Sequence, residues 1–393
     1  MAAIASSDLA RSTSAPDFAL SEEQDLLREQ IRRFAEERIA PGVRERDRNH
    51  EFPRDLLREM GELGLLGMLV PEAYGGAGMD PLSYVVALEE IGRICPSLAV
   101  TMSVTNSVCC WPIWRYGTEE QRRGFLPRLA SGEWIGGFGL TEPGSGSDAG
   151  AMRTTARRDG DSWVLQGEKA WITNAGEARV FVVLAKTDVA AGKRGISAFV
   201  VNADAPGFKI GRPEEKLGLR ASLTAPLFFD DCRIPAASLL GAEGQGFKIA
   251  LATLDHSRLG IAAQAVGIHQ RALELAAAYA KERVQFGVPI GEHQAIQFML
   301  ARIATELAAA RALTQAAALA EEGRDAGRLA AEAKLYAAEA ANRACYDALQ
   351  VHGGNGFCED YEIARLYRDV RVTTIYEGTS EMQRLVIARH LLA

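Results

Sequence analysis

The chain has 393 residues, of which 48% are hydrophobic and 24% charged, and its formal net charge is −7 at pH 7. This length allows two or three domains with full hydrophobic cores, and the negative charge argues against a nucleic-acid-binding surface. No run approaches the roughly 18 consecutive apolar residues that a membrane span requires, so we expect none.

The N-terminal 17 residues are rich in Ala and Ser, and Arg11 is their only basic residue. This composition is a poor match to a signal or transit peptide. We therefore predict a disordered tail at 1–17 and a cytoplasmic protein. The six cysteines and six histidines show neither a Cys-x-x-Cys pair nor a common metal-ligand spacing, so we expect no disulfide framework and no metal.

Residues 21–130 are predicted to be helical. From Ser21 to Arg38, apolar residues recur at helical spacing behind a sequence typical of a helix N-terminus. Pro41 and Gly42 are expected to end that helix. Further helices are predicted at 54–63, 81–94 and 96–116.

The residue pattern changes near residue 137. Short runs rich in β-branched and aromatic residues alternate with Gly, Asp and Pro turns, which is typical of strands. We predict a small antiparallel β domain, with strands around 163–165, 180–184, 196–201 and 227–229.

The C-terminal part returns to helix, is rich in alanine and has few prolines. Long helical stretches at 247–283, 292–322 and 325–352, joined by short breaks, indicate an antiparallel bundle. The predicted class is therefore α+β in the order helical, β, helical. We expect the domains to span 18–136, 137–240 and 241–393.

One carboxylate near the C-terminus has a setting suited to proton abstraction. Residues 375–381 read IYEGTSE, which places Glu377 between an aromatic residue and a glycine. Apolar surroundings raise the pKa of a carboxyl group toward the range of a general base, and Gly378 allows close approach of a ligand. The alternative is an ordinary helix start, with Thr379 as the N-cap.

A second unusual run lies upstream, where residues 139–148 read GLTEPGSGSD. Taken alone, it could be a plain tight turn or a loop whose backbone N–H groups bind an anion. Together with the Glu377 run, it resembles the acyl-CoA dehydrogenase family from about residue 18 to 392, most closely the short-chain, butyryl-type enzymes. No Gly-x-Gly-x-x-Gly follows a strand, so a Rossmann site is not supported.

The resemblance implies a fold and a function. The fold would be that of acyl-CoA dehydrogenases, with an N-terminal helical domain, a small antiparallel β-barrel and a C-terminal four-helix bundle, assembled as a homotetramer (a dimer of dimers). FAD would be the cofactor, an acyl-CoA the substrate and electron-transfer flavoprotein the electron acceptor. Glu377 would remove the α-proton, its backbone N–H would help bind the thioester oxygen, and the β-hydrogen would leave as hydride to flavin N5.

The resemblance also implies cofactor contacts. FAD would be bound by Phe138, Leu140, Thr141, Ser147, Trp171, Ile172, Thr173, Arg283, Phe286, His293, Gln294, Gln350, Gly353, Gly354, Thr379 and Glu381. The contacts from 283–294 and 350–354 would largely cross a subunit interface. Without the resemblance, Trp171 could equally be a core aromatic, and Gly353 with Gly354 a helix C-cap.

Substrate contacts would come from Ser147, Asp255, Arg258 and Gly378. An ion pair within one helix explains Asp255 and Arg258 equally well. Glutaryl-type relatives carry an arginine near residue 98, where this chain has leucine, so a short straight-chain acyl-CoA is expected. A branched or cyclic short acyl-CoA, an acyl-CoA oxidase and a non-catalytic, nucleic-acid-associated relative remain as alternatives.

Overall fold

The computed structural model describes residues 20–320 and 325–392; the predicted disordered tail at 1–17 lies outside them. The N-terminal region is helical, as predicted. Its helices are α1 (Glu22–Phe34), α2 (Val43–Asn49), α3 (Arg54–Glu62), α4 (Pro81–Ile94), α5 (Pro96–Ser103), α6 (Trp111–Tyr116) and α7 (Glu119–Ala130). Ser21 and Gln24 form a reciprocal capping box at the start of α1, which satisfies two N–H groups that the helix itself leaves unpaired.

Pro41 and Gly42 interrupt the first helical segment, as expected, but a new helix begins directly after them. After α1 the backbone widens into a π-helical turn at Ala35–Ile39 and then tightens into a 3₁₀ turn at Ala40–Gly42, from which α2 continues. Proline is tolerated in the first turn of a new helical segment because the missing N–H would have no intrahelical acceptor there. Gly42, with a φ of −114° and a ψ of 2°, leaves helical geometry and is the N-cap of α2.

A mixed β-sheet follows. Its strands are β1 (Gly136–Gly139), β2 (Thr155–Asp159), β3 (Ser162–Thr173), β4 (Val180–Lys186), β5 (Ile196–Asn202), β6 (Phe208–Ile210), β7 (Thr224–Pro235) and β8 (Leu239–Leu240). The hydrogen-bonded order is β6-β7-β3-β2-β4-β5-β8, with β1 also on β4. All four predicted strand segments are confirmed.

Most strand pairs are antiparallel as predicted, but two are not. β1 and β2 both pair in parallel with β4 and share one of its edges, while β5 lies on the other edge. β4 is therefore central, and six of its seven residues are buried. Its continuous apolar run is typical of a strand covered on both faces. Within the described residues, the hydrogen-bonded order has two free ends, β6 and β8.

The C-terminal helices form the predicted bundle. They are α8 (Gly246–Glu282), α9 (Gln294–Leu319), α10 (Ala326–His352), α11 (Glu362–Val370) and α12 (Ser380–Leu392), with a short hairpin of β9 (Val284–Gln285) and β10 (Val288–Pro289) after α8. α10 packs against α8, α9 and α12, and α4 packs against α8. One hydrophobic cluster therefore runs from the N-terminal helices into the bundle.

Alanine determines how close the bundle helices lie. Nine alanines of α10, among them Ala337, Ala341 and Ala344, are buried. Small side chains bring helix axes together and cost little side-chain entropy on burial. Among the described residues, no helix has an apolar stretch that would cross a membrane, and no group of three or more His, Cys, Asp or Glu side chains is placed to hold a metal ion.

Candidate active site

Glu377 lies in a tight turn between a 3₁₀ turn at Arg371–Thr374 and the start of α12. Its φ of +51° is left-handed, and Gly378 follows at +86°. A non-glycine residue in this region costs free energy that the surroundings must offset, and such residues cluster at functional sites. The φ angle favours glycine there, and a Cβ at Gly378 would lie 2.7 Å from Nε2 of Gln383, whose side chain would have to shift.

Two side chains hold the backbone of this turn. Lys334 Nζ, from α10, donates a hydrogen bond to the Gly378 carbonyl at 2.7 Å. Gln383 Nε2, from α12, donates to the carbonyls of Glu377 at 3.2 Å and Gly378 at 2.9 Å. Side chains of two helices thus stabilise the strained conformation that carries the carboxylate.

The Glu377 carboxylate accepts a hydrogen bond from Ser257 Oγ of α8 at 2.6 Å. Burial raises the pKa of Glu377, whereas the Ser257 hydrogen bond and the positive charges of Lys334 and Arg258 act to lower it. Burial prevails, so the pKa lies above its ordinary value of 4.5. The residue as a whole is half-buried. A raised pKa is one of the properties that a general base requires.

Two phenols lie close to this carboxylate. Tyr376 donates from its hydroxyl to Oε1 of Gln264, whose Nε2 in turn donates to the Pro96 carbonyl at 2.7 Å. Burial raises the pKa of both Tyr376 and Tyr84, and the nearby Glu377 charge raises it further. Both phenols are therefore neutral near pH 7 and act as walls of the site.

Asp255 and Arg258 form the ion pair that their spacing on α8 allows. The alternative explanation of this spacing, an ion pair within one helix, is therefore correct. However, Arg258 is only 6% exposed, and its Nε has no hydrogen-bond partner within the described residues. A buried donor without a partner is costly, so an anionic ligand at this position would satisfy it.

The 139–148 run forms a loop that a buried ion pair fixes in place. Lys169 Nζ lies 2.8 Å from Glu142 Oε1, and the same carboxylate accepts the backbone N–H groups of Arg153 at 2.5 Å and Thr154 at 3.0 Å. Between these fixed points, added Cβ atoms at Gly144 and Gly146 would meet nothing within 4 Å. The loop backbone is therefore open to a ligand.

The structure brings the first group of predicted cofactor residues together. Ala170 N–H donates to the Thr141 carbonyl at 2.9 Å, which joins the segment of Phe138, Leu140 and Thr141 to that of Trp171, Ile172 and Thr173. Leu140 and Ile172 are buried, Phe138, Thr141 and Thr173 are half-buried, and Ser147 is exposed.

Trp171 is the most unusual member of this group. It is 61% exposed and has a left-handed φ of +61°. Its interpretation as a core aromatic is therefore wrong. An exposed indole on strained backbone, beside an open glycine loop, fits contact with a planar aromatic ligand.

Phe138 connects this group to the segment that carries Glu377. Its ring belongs to a cluster with Val108 and Leu219 that also includes Val372 and Tyr376. Packing across this cluster places β1, which begins the cofactor segment, against the segment that presents Glu377.

A second group of predicted cofactor residues lies elsewhere. Arg283, Phe286, Gln294, Gln350, Gly353 and Gly354 are exposed and His293 is half-buried. The Tyr279 and His352 rings stack at 4.4 Å, which joins the 283–294 and 350–354 segments. Gly353 follows the last residue of α10 with a φ of +59°, as the C-cap interpretation expected.

This second group is remote from Glu377. Arg283 follows Ser257 by 26 positions along and just beyond α8, which at 1.5 Å per residue is about 39 Å. Phe286 is 95% exposed and has a left-handed φ of +55°. Within one chain, these residues and Glu377 therefore belong to different surfaces.

Thr379 and Glu381 lie at the start of α12. The Thr379 hydroxyl accepts the N–H of Met382 at 3.3 Å, so the predicted N-cap is present. Both residues line a cavity of about 410 Å³ together with Arg343, Arg371 and other side chains. The two arginines give this cavity basic groups suited to phosphate.

Sequence reasoning missed the side chains that surround Glu377. Ser257 lies inside the run that contains Asp255 and Arg258, but a serine in a helix gives no signal of its own. Lys334 offered one, because it is a single charged residue on an otherwise apolar, alanine-rich helix face and is fully buried. Such a lysine usually has a specific partner. Glu142 and Lys169 gave no pattern, because Glu142 lies in a loop and Lys169 on β3, 27 residues further along the chain.

Comparisons with known proteins agree with this geometry. The chain matches the family profiles of the acyl-CoA dehydrogenase N-terminal domain over residues 21–133, middle domain over 137–232 and C-terminal domain over 244–392. It is 52% identical over 374 residues to the mitochondrial short-chain specific acyl-CoA dehydrogenase of Bos taurus, covering 95% of this chain and 91% of the relative.

Solved structures also match nearly the whole chain. Butyryl-CoA dehydrogenase from Megasphaera elsdenii matches with a TM-score of 0.94 at 43% identity, covering 96% of this chain and all of that one. An acyl-CoA dehydrogenase from Bacillus anthracis complexed with FAD matches with a TM-score of 0.89 at 36% identity, covering 95% of this chain and 67% of that one. The open glycine loop and the exposed Trp171 fit that cofactor, so we conclude that this chain belongs to the acyl-CoA dehydrogenase family and is an FAD-dependent oxidoreductase.

Proposed function

We propose that the protein converts a short-chain acyl-CoA to its trans-2-enoyl-CoA, with Glu377 as the base that removes the α-proton. One observation carries the proposal. Glu377 presents a buried carboxyl group with a raised pKa, on a strained turn, hydrogen-bonded to a neutral serine instead of being paired with a cation. A carboxylate left unpaired in this way is costly for folding and is explained by catalysis.

The same turn offers a donor for the thioester oxygen. The Glu377 N–H donates to no acceptor within the described residues, so it is available for the negative charge that develops on the carbonyl oxygen as the α-proton leaves. Such preorganised donors lower the barrier to proton abstraction. Arg258, with its unpartnered Nε, and Asp255 would bind the CoA portion. Gly378 and Ser147 would bring backbone and hydroxyl groups to the substrate.

The predicted cofactor-binding segments fit the second half of the proposed reaction, the transfer of the β-hydrogen. FAD, when bound, supplies the acceptor for the β-hydrogen. We assign its flavin end to Phe138, Leu140, Thr141, Trp171, Ile172 and Thr173, and its remaining contacts to Ser147, Thr379 and Glu381. Trp171 is exposed beside the proposed flavin end of the site, which supports the proposal that electron-transfer flavoprotein is the electron acceptor.

We further propose that a second copy of the chain completes the cofactor site. Arg283 is about 39 Å from Ser257 along α8, too far to serve the same site, and the stacking of Tyr279 on His352 keeps Gln350, Gly353 and Gly354 near the same end of α8. The group also includes Phe286, His293 and Gln294. Their exposed aromatic and glycine groups would serve the site of a partner in the predicted homotetramer. Light scattering of the holoenzyme gives the mass, and Phe286→Ala should weaken FAD retention without altering Glu377.

The acyl group is proposed to be short and straight. The Bos taurus relative, named as short-chain specific, is 52% identical. Leu98 is 1% exposed within the core, so this position offers no cation for a distal carboxylate. The domain boundaries at 18–136, 137–240 and 241–393 and the cytoplasmic location stay predictions, the latter open to cell fractionation.

One titration tests the proposal directly. The purified holoenzyme is mixed anaerobically with butyryl-, octanoyl-, isobutyryl- or isovaleryl-CoA while bleaching of the flavin band is followed. We expect rapid bleaching with butyryl-CoA. Preferential bleaching by a branched thioester would correct the substrate, and the absence of bleaching by all four would contradict the dehydrogenase proposal. Rapid reoxidation by air instead of electron-transfer flavoprotein would identify an oxidase.

A further inference from the structure

A serine on α8 contacts the carboxylate that we assign as the base. Ser257 is 1% exposed, and its Oγ lies 2.6 Å from Oε2 of Glu377. We propose that Ser257 is a positioning residue that anchors Oε2 and leaves Oε1 as the atom that takes the α-proton. This inference rests on the proposed function, because it gives the serine a part in proton removal by Glu377.

The two partners differ in rigidity. Glu377 lies on a short turn, whereas Ser257 lies within a 37-residue helix that packs against α4, α9 and α10. The terminal torsion of a glutamate is broad, so its two oxygens exchange places readily. A bond from a rigid helix to one oxygen fixes which of them faces the substrate, and catalytic groups need this support.

The serine hydroxyl has an acceptor in both protonation states of the base. Besides Glu377 Oε2, the Leu254 carbonyl lies 3.1 Å from Ser257 Oγ. The single hydroxyl proton goes to the carboxylate while Glu377 is ionised, because hydrogen bonds to charged acceptors are stronger. After Oε1 has taken the α-proton, the hydroxyl can turn to Leu254. Neither state leaves Ser257 unpaired, and the ionised state gains more.

Other groups around Glu377 act on its charge and leave its orientation free. Lys334 from α10 and Arg258 from α8 favour the ionised form, but Lys334 donates to the Gly378 carbonyl and Arg258 pairs with Asp255. Tyr84 from α4 and the adjacent Tyr376 are neutral phenols. Among the described residues, Ser257 therefore provides the only hydrogen bond to the Glu377 carboxylate.

The test compares three substitutions of Ser257 with a matched control. Ser257→Ala removes the hydroxyl, Ser257→Thr keeps it, and Ser257→Cys replaces it with a weaker donor. Thr253→Ala removes a buried hydroxyl one turn earlier on α8 that has no hydrogen-bond partner within the described residues. It removes a buried hydroxyl and somewhat more volume than Ser257→Ala does, without the loss of a bond to the base.

The primary measurement is the pH titration of the carboxylic-acid C=O infrared band in substrate-free holoenzyme, assigned by its loss in Glu377→Gln. We expect the midpoint in Ser257→Ala to move to higher pH by about one unit, the typical value of a hydrogen bond to a charged group. Ser257→Cys should show a smaller shift, and Ser257→Thr and Thr253→Ala none. The acid limb of kcat should move in parallel, with KM changed by less than about twofold because substrate contacts remain.

Each outcome decides the proposal. An unmoved midpoint in Ser257→Ala overturns it, even if turnover falls, because only packing would then have changed. If Ser257→Ala does not fold, an unmoved midpoint in Ser257→Cys has the same meaning. A shifted midpoint together with near-normal turnover of Glu377→Gln would leave the Ser257 bond in place and overturn the proposed function instead.

Discussion

Two carboxylates in this protein each face a buried lysine, and the two pairs are used in opposite ways. Glu142 and Lys169 form a direct ion pair at 2.8 Å, whereas Lys334 donates to the Gly378 carbonyl and leaves the Glu377 carboxylate to a serine. Burial lowers the pKa of both lysines to about 8. The lysine environments are thus alike, and the difference lies in the partner.

The pKa values of the two carboxylates are shifted in opposite directions. Burial acts to raise the pKa of Glu142, but the Lys169 charge and three hydrogen bonds outweigh it, so its pKa lies below the usual value. Burial raises the pKa of Glu377 and is not outweighed. A carboxylate that fixes a loop is therefore fully paired, whereas a carboxylate that must accept a proton is only partly paired.

The largest difference between the two sites should be in catalysis. Glu377→Gln removes the base while keeping the shape, so we expect turnover to fall by about 10³- to 10⁴-fold, the upper range for a general base, with FAD retained. The measurement is the anaerobic rate of flavin bleaching per bound FAD. Glu142→Gln, as the matched control, should stay within about tenfold of wild type, because its carboxylate does not touch the substrate. Fast bleaching by Glu377→Gln would mean that the base lies elsewhere.

The next largest difference should be in stability. Lys169→Met leaves the Glu142 carboxylate buried without its cation, and we expect this to destabilise the fold by about 3–5 kcal/mol. Thermal unfolding of the holoenzyme measures the loss. Adding Glu142→Gln should recover part of it, because the uncompensated charge is then removed as well. No recovery in the double variant would mean that Lys169 acts through packing alone.

Lys334→Met, next to the turn that carries Glu377, should behave differently from Lys169→Met. The lost hydrogen bond to Gly378 is offset by relief from burying an unpaired ammonium group, so stability should change by only about 1 kcal/mol. Loss of the positive charge disfavours the ionised form of Glu377, so the acid limb of the kcat profile should move to higher pH. A loss of stability as large as that of Lys169→Met, with an unmoved limb, would show that the two lysines play the same role.

The comparison also shows what sequence reasoning can reach. Helical periodicity and strand composition identified the helical, β, helical order because those signals are local. The direction of β1 and β2 against β4 was missed, because strand pairing depends on contacts between segments far apart in the chain. The π-helical turn before Pro41 was missed for a different reason, since such a turn has no clear sequence signature.

The residues of the candidate site also divide into those that local sequence indicated and those that it did not. Glu377 and the 139–148 loop were found because each lies in a short, unusual run. Ser257, Lys334 and Lys169 were not, because each acts on a residue that is distant in sequence, and a single serine or lysine in a helix or strand has many ordinary explanations. A buried charged residue on an apolar face, such as Lys334, is the signal that would have found one of them.

The smallest predicted effect is the change in stability relative to wild type at pH 7, which should have opposite signs for Glu377→Gln and Glu142→Gln. The pKa of Glu377 is raised in the folded state, so its favourable contribution to stability is complete below the ordinary value of 4.5 and is lost as pH rises through the folded pKa. Glutamine does not ionise. Glu377→Gln should therefore be more stable than wild type at pH 7, by roughly 1 kcal/mol, and this advantage should vanish as the pH falls toward 4.

Glu142→Gln should show the reverse. Its lowered pKa contributes stability above the ordinary value of 4.5 that is lost as pH falls through the folded pKa. The variant should be less stable than wild type at pH 7, and the gap should close in acid. Thermal melts of both holoenzymes across pH 4–8 give the two difference curves. Curves of the same sign would mean that Glu377 is held as firmly as Glu142, and a carboxylate held that firmly would be a poor base.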